Sequence, residues 1–241
     1  LKNQNFNGSS YNVAVGRDAG LSVTTGVRNT IIGGLAGAAL TTGQFNVALG
    51  FNSLSSEDDH GRNTAIGTNT LQAQNAGENG FNVAVGYDAG FSITTSVKNV
   101  LIGGLAGDAL TTGGFNVAIG YAALSTEDGH GHNIAIGREA LFAQNAGADA
   151  YNIAIGDLAG KSITTSIKNV IIGGLAGDAL TSGSKNTVVG YEALSTEDTR
   201  GTSTAIGHRA LRDQNAGSDP YNVAVGHDAG LLISTGTSNT L

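Results

Sequence analysis

The side chains best suited to chemistry recur at 70-residue intervals: Glu57-Asp58-Asp59, Glu127-Asp128 and Glu197-Asp198. Neighbouring carboxylates can cleave a glycosidic bond or ligate calcium. Set among Ser, Thr and Gly, these three stretches read more simply as solvated acidic turns that keep the chain soluble. His130-Gly131-His132 has a metal-like spacing, because residues two apart on a strand share a side. Three copies of His130 and His132 about a common axis would offer six imidazoles, a set suited to a first-row transition ion. The plainer alternative is a pair of solvated turn histidines, since the equivalent stretches read His60-Gly61-Arg62 and Arg200-Gly201-Thr202. Threonine pairs at 24–25, 41–42, 94–95, 111–112 and 164–165 raise an ice-binding array, but Ser182 interrupts the series. Serine and threonine otherwise recur as repeat positions, without a base and an orienting group beside them. No enzyme and no cofactor are expected.

Composition narrows the classes further. There is no cysteine, so disulfides, zinc-thiolate sites and redox dithiols are excluded. Lys plus Arg number 12 against 19 Asp plus Glu, for a net charge of −7, which argues against a nucleic-acid groove. No apolar run approaches the ~18 residues of a membrane helix, so membrane insertion is not expected. The 38 glycines follow no Gly-X-Y period, which excludes a collagen helix.

What positions these residues is a repeat. A motif of Asn, three mostly aliphatic residues and Gly ends at Gly16, Gly33, Gly50, Gly67, Gly86, Gly103, Gly120, Gly137, Gly156, Gly173, Gly190, Gly207 and Gly226. The steps are 17, 17, 17 and 19 residues, three times over, giving a superperiod of 70. Asn12 with Gly16, Asn82 with Gly86, Asn152 with Gly156, and Asn222 with Gly226 mark equivalent positions and are assigned a structural role. Short β-branched runs ending in glycine are strand signals, and Thr-Thr-Gly and Asn-Ala-Gly are turns. The pattern predicts an all-β, parallel β-solenoid or β-roll, one coil per unit. It runs through 1–241 as one continuous array and reads as a segment of a longer chain. The motif asparagines should either stack in a ladder or serve the turn before each strand.

Both strand faces are apolar: Val13, Val15, Val83 and Val85 on one, Ala14, Ile31, Ala84 and Leu101 on the other. A thin coil has one interior, so the second face needs another chain. A homotrimer about the rod axis is expected. Variable residues after the motif glycine (Arg17, Tyr87, Asp157 and His227; Thr68, Arg138 and His208) should face solvent. Tyr11, Phe81, Tyr151 and Tyr221 should cover the corner where the wide coils carry two extra residues.

The stretches 12–20 (NVAVGRDAG), 63–71 (NTAIGTNTL) and 133–141 (NIAIGREAL) resemble the head repeats of YadA-type trimeric adhesins. They are also similar to the Asn-Thr-Ala-(Ile/Val)-Gly-x-x-Ala-Leu repeats of phage and virus tail-fibre proteins. The resemblance spans essentially the whole chain. It implies a left-handed parallel β-roll wound into a trimer, in an extracellular fibre. For a virion tail fibre, this would be a shaft or head segment joined to adjoining fibre segments. It would project a tip toward a host cell-surface receptor, glycan or protein, bound by this or a distal domain. For an adhesin, it would lie at the bacterial cell surface and bind the host itself. The 17-residue unit is longer than the typical adhesin coil, and no neck, heptad stalk or anchor is visible in this segment.

Overall fold

The computed structural model describes residues 1–5 and 7–241. They form two compact units, Leu1–Asn116 and Val117–Leu241. The first contains β1 (Val13–Val15), β2 (Thr30–Ile32), β3 (Val47–Leu49), β4 (Thr64–Ile66), β5 (Val83–Val85) and β6 (Val100–Ile102). The second contains β7 (Val117–Ile119), β8 (Ile134–Ile136), β9 (Ile153–Ile155), β10 (Val170–Ile172), β11 (Thr187–Val189), β12 (Thr204–Ile206) and β13 (Val223–Val225). Within each unit, successive strands pair in parallel and in register, so Ala14 meets Ile31 and Ile171 meets Val188. The predicted all-β parallel solenoid of 17-residue coils is the fold, and no helix occurs among the described residues.

Each strand is only three residues long, and the motif glycine ends it. Gly16 has φ = 130°, and a Cβ there would stand 2.6 Å from the Gly33 carbonyl oxygen. Only glycine fits where consecutive coils approach this closely. Two residues further on, and again two beyond that, the chain turns left-handed: Asp18 and Gly20, Asn52 and Leu54, Asn69 and Leu71. The residue before the motif asparagine is left-handed as well, at Arg28, Phe45, Arg62 and Phe81.

The central residue of each strand points inward. Ile31, Ala48, Ala65, Ala84, Leu101, Ile171 and Val188 have no exposed surface. The rest of the interior is filled from one of two positions. In the first and second coils of a superperiod, the fourth residue after the motif glycine is glycine. The seventh is then aliphatic and buried, as at Val23, Leu40, Ile93, Leu110, Ile163 and Leu180. In the third and fourth coils the fourth residue is a buried leucine, as at Leu54, Leu71, Leu124, Leu141, Leu194 and Leu211. The seventh is then polar: Glu57, Gln74, Glu127, Gln144, Glu197 and Gln214, all fully buried. The two arrangements are complementary, because a Cβ on Gly90 would collide with Leu71, Ile93 and Leu101.

The motif asparagines form a ladder of a mixed kind. Each side-chain carbonyl accepts from the main-chain amide of the next coil: Asn29 N–H to Asn12 at 2.8 Å, Asn99 to Asn82 at 2.9 Å, Asn186 to Asn169 at 2.8 Å. At several of them the side-chain amide donates to the turn 14 residues on, as from Asn12 to Gly26 at 2.7 Å and from Asn29 to Gly43 at 2.8 Å. In the second coil of the later superperiods it also reaches the previous asparagine, as from Asn99 to Asn82 at 3.1 Å. The stacking expected of this residue is therefore present, made mostly through main-chain amides and turns of the next coil, while the left-handed turn position falls to the residue before it.

The outward third residue of every strand is aliphatic, while the outward first residue is threonine at Thr30, Thr64, Thr187 and Thr204. Val13, Val15, Leu49, Val83, Ile102, Ile172, Ile206, Val223 and Val225 are all exposed, Val15 and Val225 by 58 % each.

Candidate functional site

The acidic corners are not solvated turns at their first residue. Glu57, Glu127 and Glu197 lie inside the coil with no exposed surface. The reason is the exchange described above: a leucine three residues earlier takes the aliphatic space, and the glutamate fills what remains. Its Oε1 accepts the amide three residues on, from His60 at 3.2 Å, His130 at 3.1 Å and Arg200 at 3.1 Å. Its Oε2 differs between copies. That of Glu197 accepts from Gln214 Nε2 and from the Ala216 amide, both at 3.2 Å. Those of Glu57 and Glu127 close no full hydrogen bond. Burial pushes the Glu57 and Glu127 carboxyls above their ordinary value, against the smaller opposing pull of the His60 and His130 amides and imidazoles. Asp59 is different. It is exposed, and the Thr41 and Thr42 hydroxyls, at 2.6 and 3.2 Å, hold its carboxyl below the usual range.

Three sets of potential metal ligands converge among the described residues: Glu57/Asp58/His60, Glu127/Asp128/His130 and His208/His227/Asp228. His130 belongs to one, its Nδ1 3.5 Å from Glu127 Oε1. His132 stands outside that set. It stacks on Tyr151 at 4.9 Å, with Nε2 3.8 Å from Asp149. Sequence spacing missed the third set, whose members lie one wide coil apart. There His208 and His227 stack in parallel at 4.9 Å, while an Arg209 fork already holds both Asp228 oxygens at 3.0 Å.

The threonine pairs serve the coil stack. Thr24, Thr94 and Thr164 each donate to the carbonyl of the next coil's threonine at 3.2 Å. The variable positions after the motif glycine are exposed at Arg17, Thr68, Tyr87, Arg138, Asp157, His208 and His227. Tyr11, Phe81, Tyr151 and Tyr221 do not cover the wide corner, being exposed by 71, 47, 52 and 61 %. Their left-handed backbone turns them out onto the coil edge, where Ala76 and Ala150, buried, pack the wide turn instead.

That edge is the feature the sequence reading did not assemble. In the first unit the row runs Tyr11, Arg28, Phe45, Arg62, Phe81, Lys98, Phe115. Cations and rings alternate and touch: Arg28 lies 5.2 Å from the Phe45 centroid, Arg62 5.7 Å from Phe45 and 5.4 Å from Phe81, and Lys98 5.1 Å from Phe115. These are cation–π distances. The signal was present, because none of the 14 residues preceding a motif asparagine or its Ser203 substitute is acidic.

Comparison of the chain with family models, curated proteins and solved structures finds no significant match.

Proposed function

We propose that this chain is a shaft or head segment of a homotrimeric extracellular fibre, with a phage or virus tail fibre as the leading setting. The observation that carries this reading is the outward strand face. Within each unit, three-residue strands stack their outward aliphatic third residues into an apolar stripe, and water is a poor neighbour for it. A stripe repeated on every coil is best buried against copies of itself, and a three-fold arrangement closes without leaving an unpaired stripe. The repeat resemblance supports the same assembly. Such a fibre segment spaces and orients a distal receptor-binding tip. The second reading, a bacterial trimeric adhesin head, is favoured by the cation–aromatic edge, which gives this segment a surface of its own for binding.

Native mass spectrometry of the purified chain should record three copies. Val85→Lys, on the outward face, should release monomers that keep the β-signal in circular dichroism. Ala84→Lys, on the inward face, should unfold the coil instead, because it buries an unpaired charge. A monodisperse monomer indifferent to Val85→Lys would remove the trimer. Antibodies raised against the chain would separate the settings by decorating either virion tails or bacterial surfaces in electron micrographs.

A further inference from the structure

We propose that the edge row of the first unit is a binding site for an extended acidic polysaccharide carrying about one acid group per disaccharide, with Arg62 taking the acid group. The inference stands apart from the fibre reading and rests on charge, spacing and one hollow.

The charge distribution is the first support. Five of the nine cations outside the row are ion-paired: Arg17 with Asp18, Arg138 with Asp157, Lys161 with Glu139, Arg209 with Asp228, and Arg212 with Asp213, at 2.7–3.3 Å. Arg28, Arg62 and Lys98 are exposed and make no ion pair among the described residues. Rings hold them in place, and a ring orients a cation without neutralising it. In a chain of net charge −7, this row is a positive strip whose cations close no ion pair, with Asp59 near Arg62 across a shared hollow.

Spacing and the hollow then select the ligand. The three cations come one every two coils, which is about 10 Å at the usual strand separation. Two hexose units of an extended chain cover a similar length. A nucleic-acid strand carries its charges more densely, about one per 3.4 Å of duplex axis. Beside Arg62 lies a hollow of about 160 Å³ lined by Thr42, Gln44, Phe45, Asp59, Arg62 and Asn79. It is smaller than a drug-sized pocket, which starts near ~300 Å³, and suits one sugar ring. Asp59 can accept from sugar hydroxyls, and Gln44 and Asn79 add amides, while Arg62 donates to a carboxylate or sulfate. A phosphodiester chain brings few hydroxyls to Asp59 and is repelled by it.

The test uses the full chain and a hyaluronan octasaccharide, which has one carboxylate per disaccharide, with calorimetry as the readout. Binding is expected, with dextran inert and single-stranded oligothymidylate weaker. Arg62→Gln should weaken binding by about tenfold or more, as loss of a charge-assisted contact does. Lys161→Gln, whose partner is Glu139, should leave it unchanged. Asp59→Asn should weaken the saccharide while strengthening oligothymidylate. Circular dichroism should be the same for every variant. No saccharide binding by the folded chain would overturn the proposal. So would equal binding by Arg62→Gln, or a preference for the oligonucleotide. Protection of the edge row in the assembled protein, seen as loss of binding on oligomerisation, would overturn it too.

Discussion

A carboxyl group inside a coil of small residues carries a measurable signature. The folded-state values of Glu57 and Glu127 are raised above 4.5 by burial. The protonated form is the one the interior prefers. Their contribution to stability is therefore complete below 4.5 and is lost as pH rises through the elevated folded value. The denaturation midpoint should fall over that window, and Glu57→Gln with Glu127→Gln should flatten the slope, because Gln74 and Gln144 already occupy the same position one coil on. An unchanged slope in the double variant would show that these carboxylates remain ionised inside. Asp59 contributes with the opposite sign. Its folded value lies below 3.8, so its stabilisation is present above 3.8 and disappears as pH falls further. The two windows do not coincide, and a pH series separates them.

At the scale of the coil, the asparagine ladder joins strand starts to the coil before them, and at Asn169 to its own turn as well. Asn169 accepts from the Asn186 amide at 2.8 Å and donates to Asn152 at 3.2 Å and to Ser166. Asn169→Ala should cost about 1–3 kcal/mol, since a buried amide is left without a partner. Chemical denaturation gives the magnitude, and faster hydrogen exchange at the Asn186 amide locates it. A neutral outcome would mean that water or a neighbouring turn replaces the side chain. Strands and coil length were legible from Asn12, Gly16 and their repeats, because close coil stacking tolerates few residue types there, whereas the inward face was not, because both strand faces are apolar. The burial of Glu57 was not legible. Charge and turn context pointed outward, and the deciding fact is the relation between Leu54 and Glu57, which share one volume. The edge row escaped for a related reason. Arg28 and Phe45 look unlike as residue types, and only their common left-handed backbone brings them into one line.

At the scale of the whole chain, nearly identical coils raise an addressing problem. Each strand could pair equally well with several others, and a chain that loops out one coil keeps its ladder register. The interior positions supply the address. Read at the seventh residue after each motif glycine, the order is aliphatic, Leu, Glu, Gln, and it recurs only every four coils. Skipping one coil sets a buried carboxylate where its neighbours expect a hydrocarbon, whereas skipping four restores every contact. Deleting residues 174–190, one coil, should therefore lower stability by about 1–3 kcal/mol through the misplaced polar group. Deleting 87–156, four coils, should leave the denaturation midpoint near that of the parent. If stability followed coil number alone, the longer deletion would be the worse one. The pairing of Gly with an aliphatic residue, and of Leu with Glu or Gln, thus acts as a proofreading code. It makes the array free to grow or shrink by superperiods and resistant to slipping by single coils.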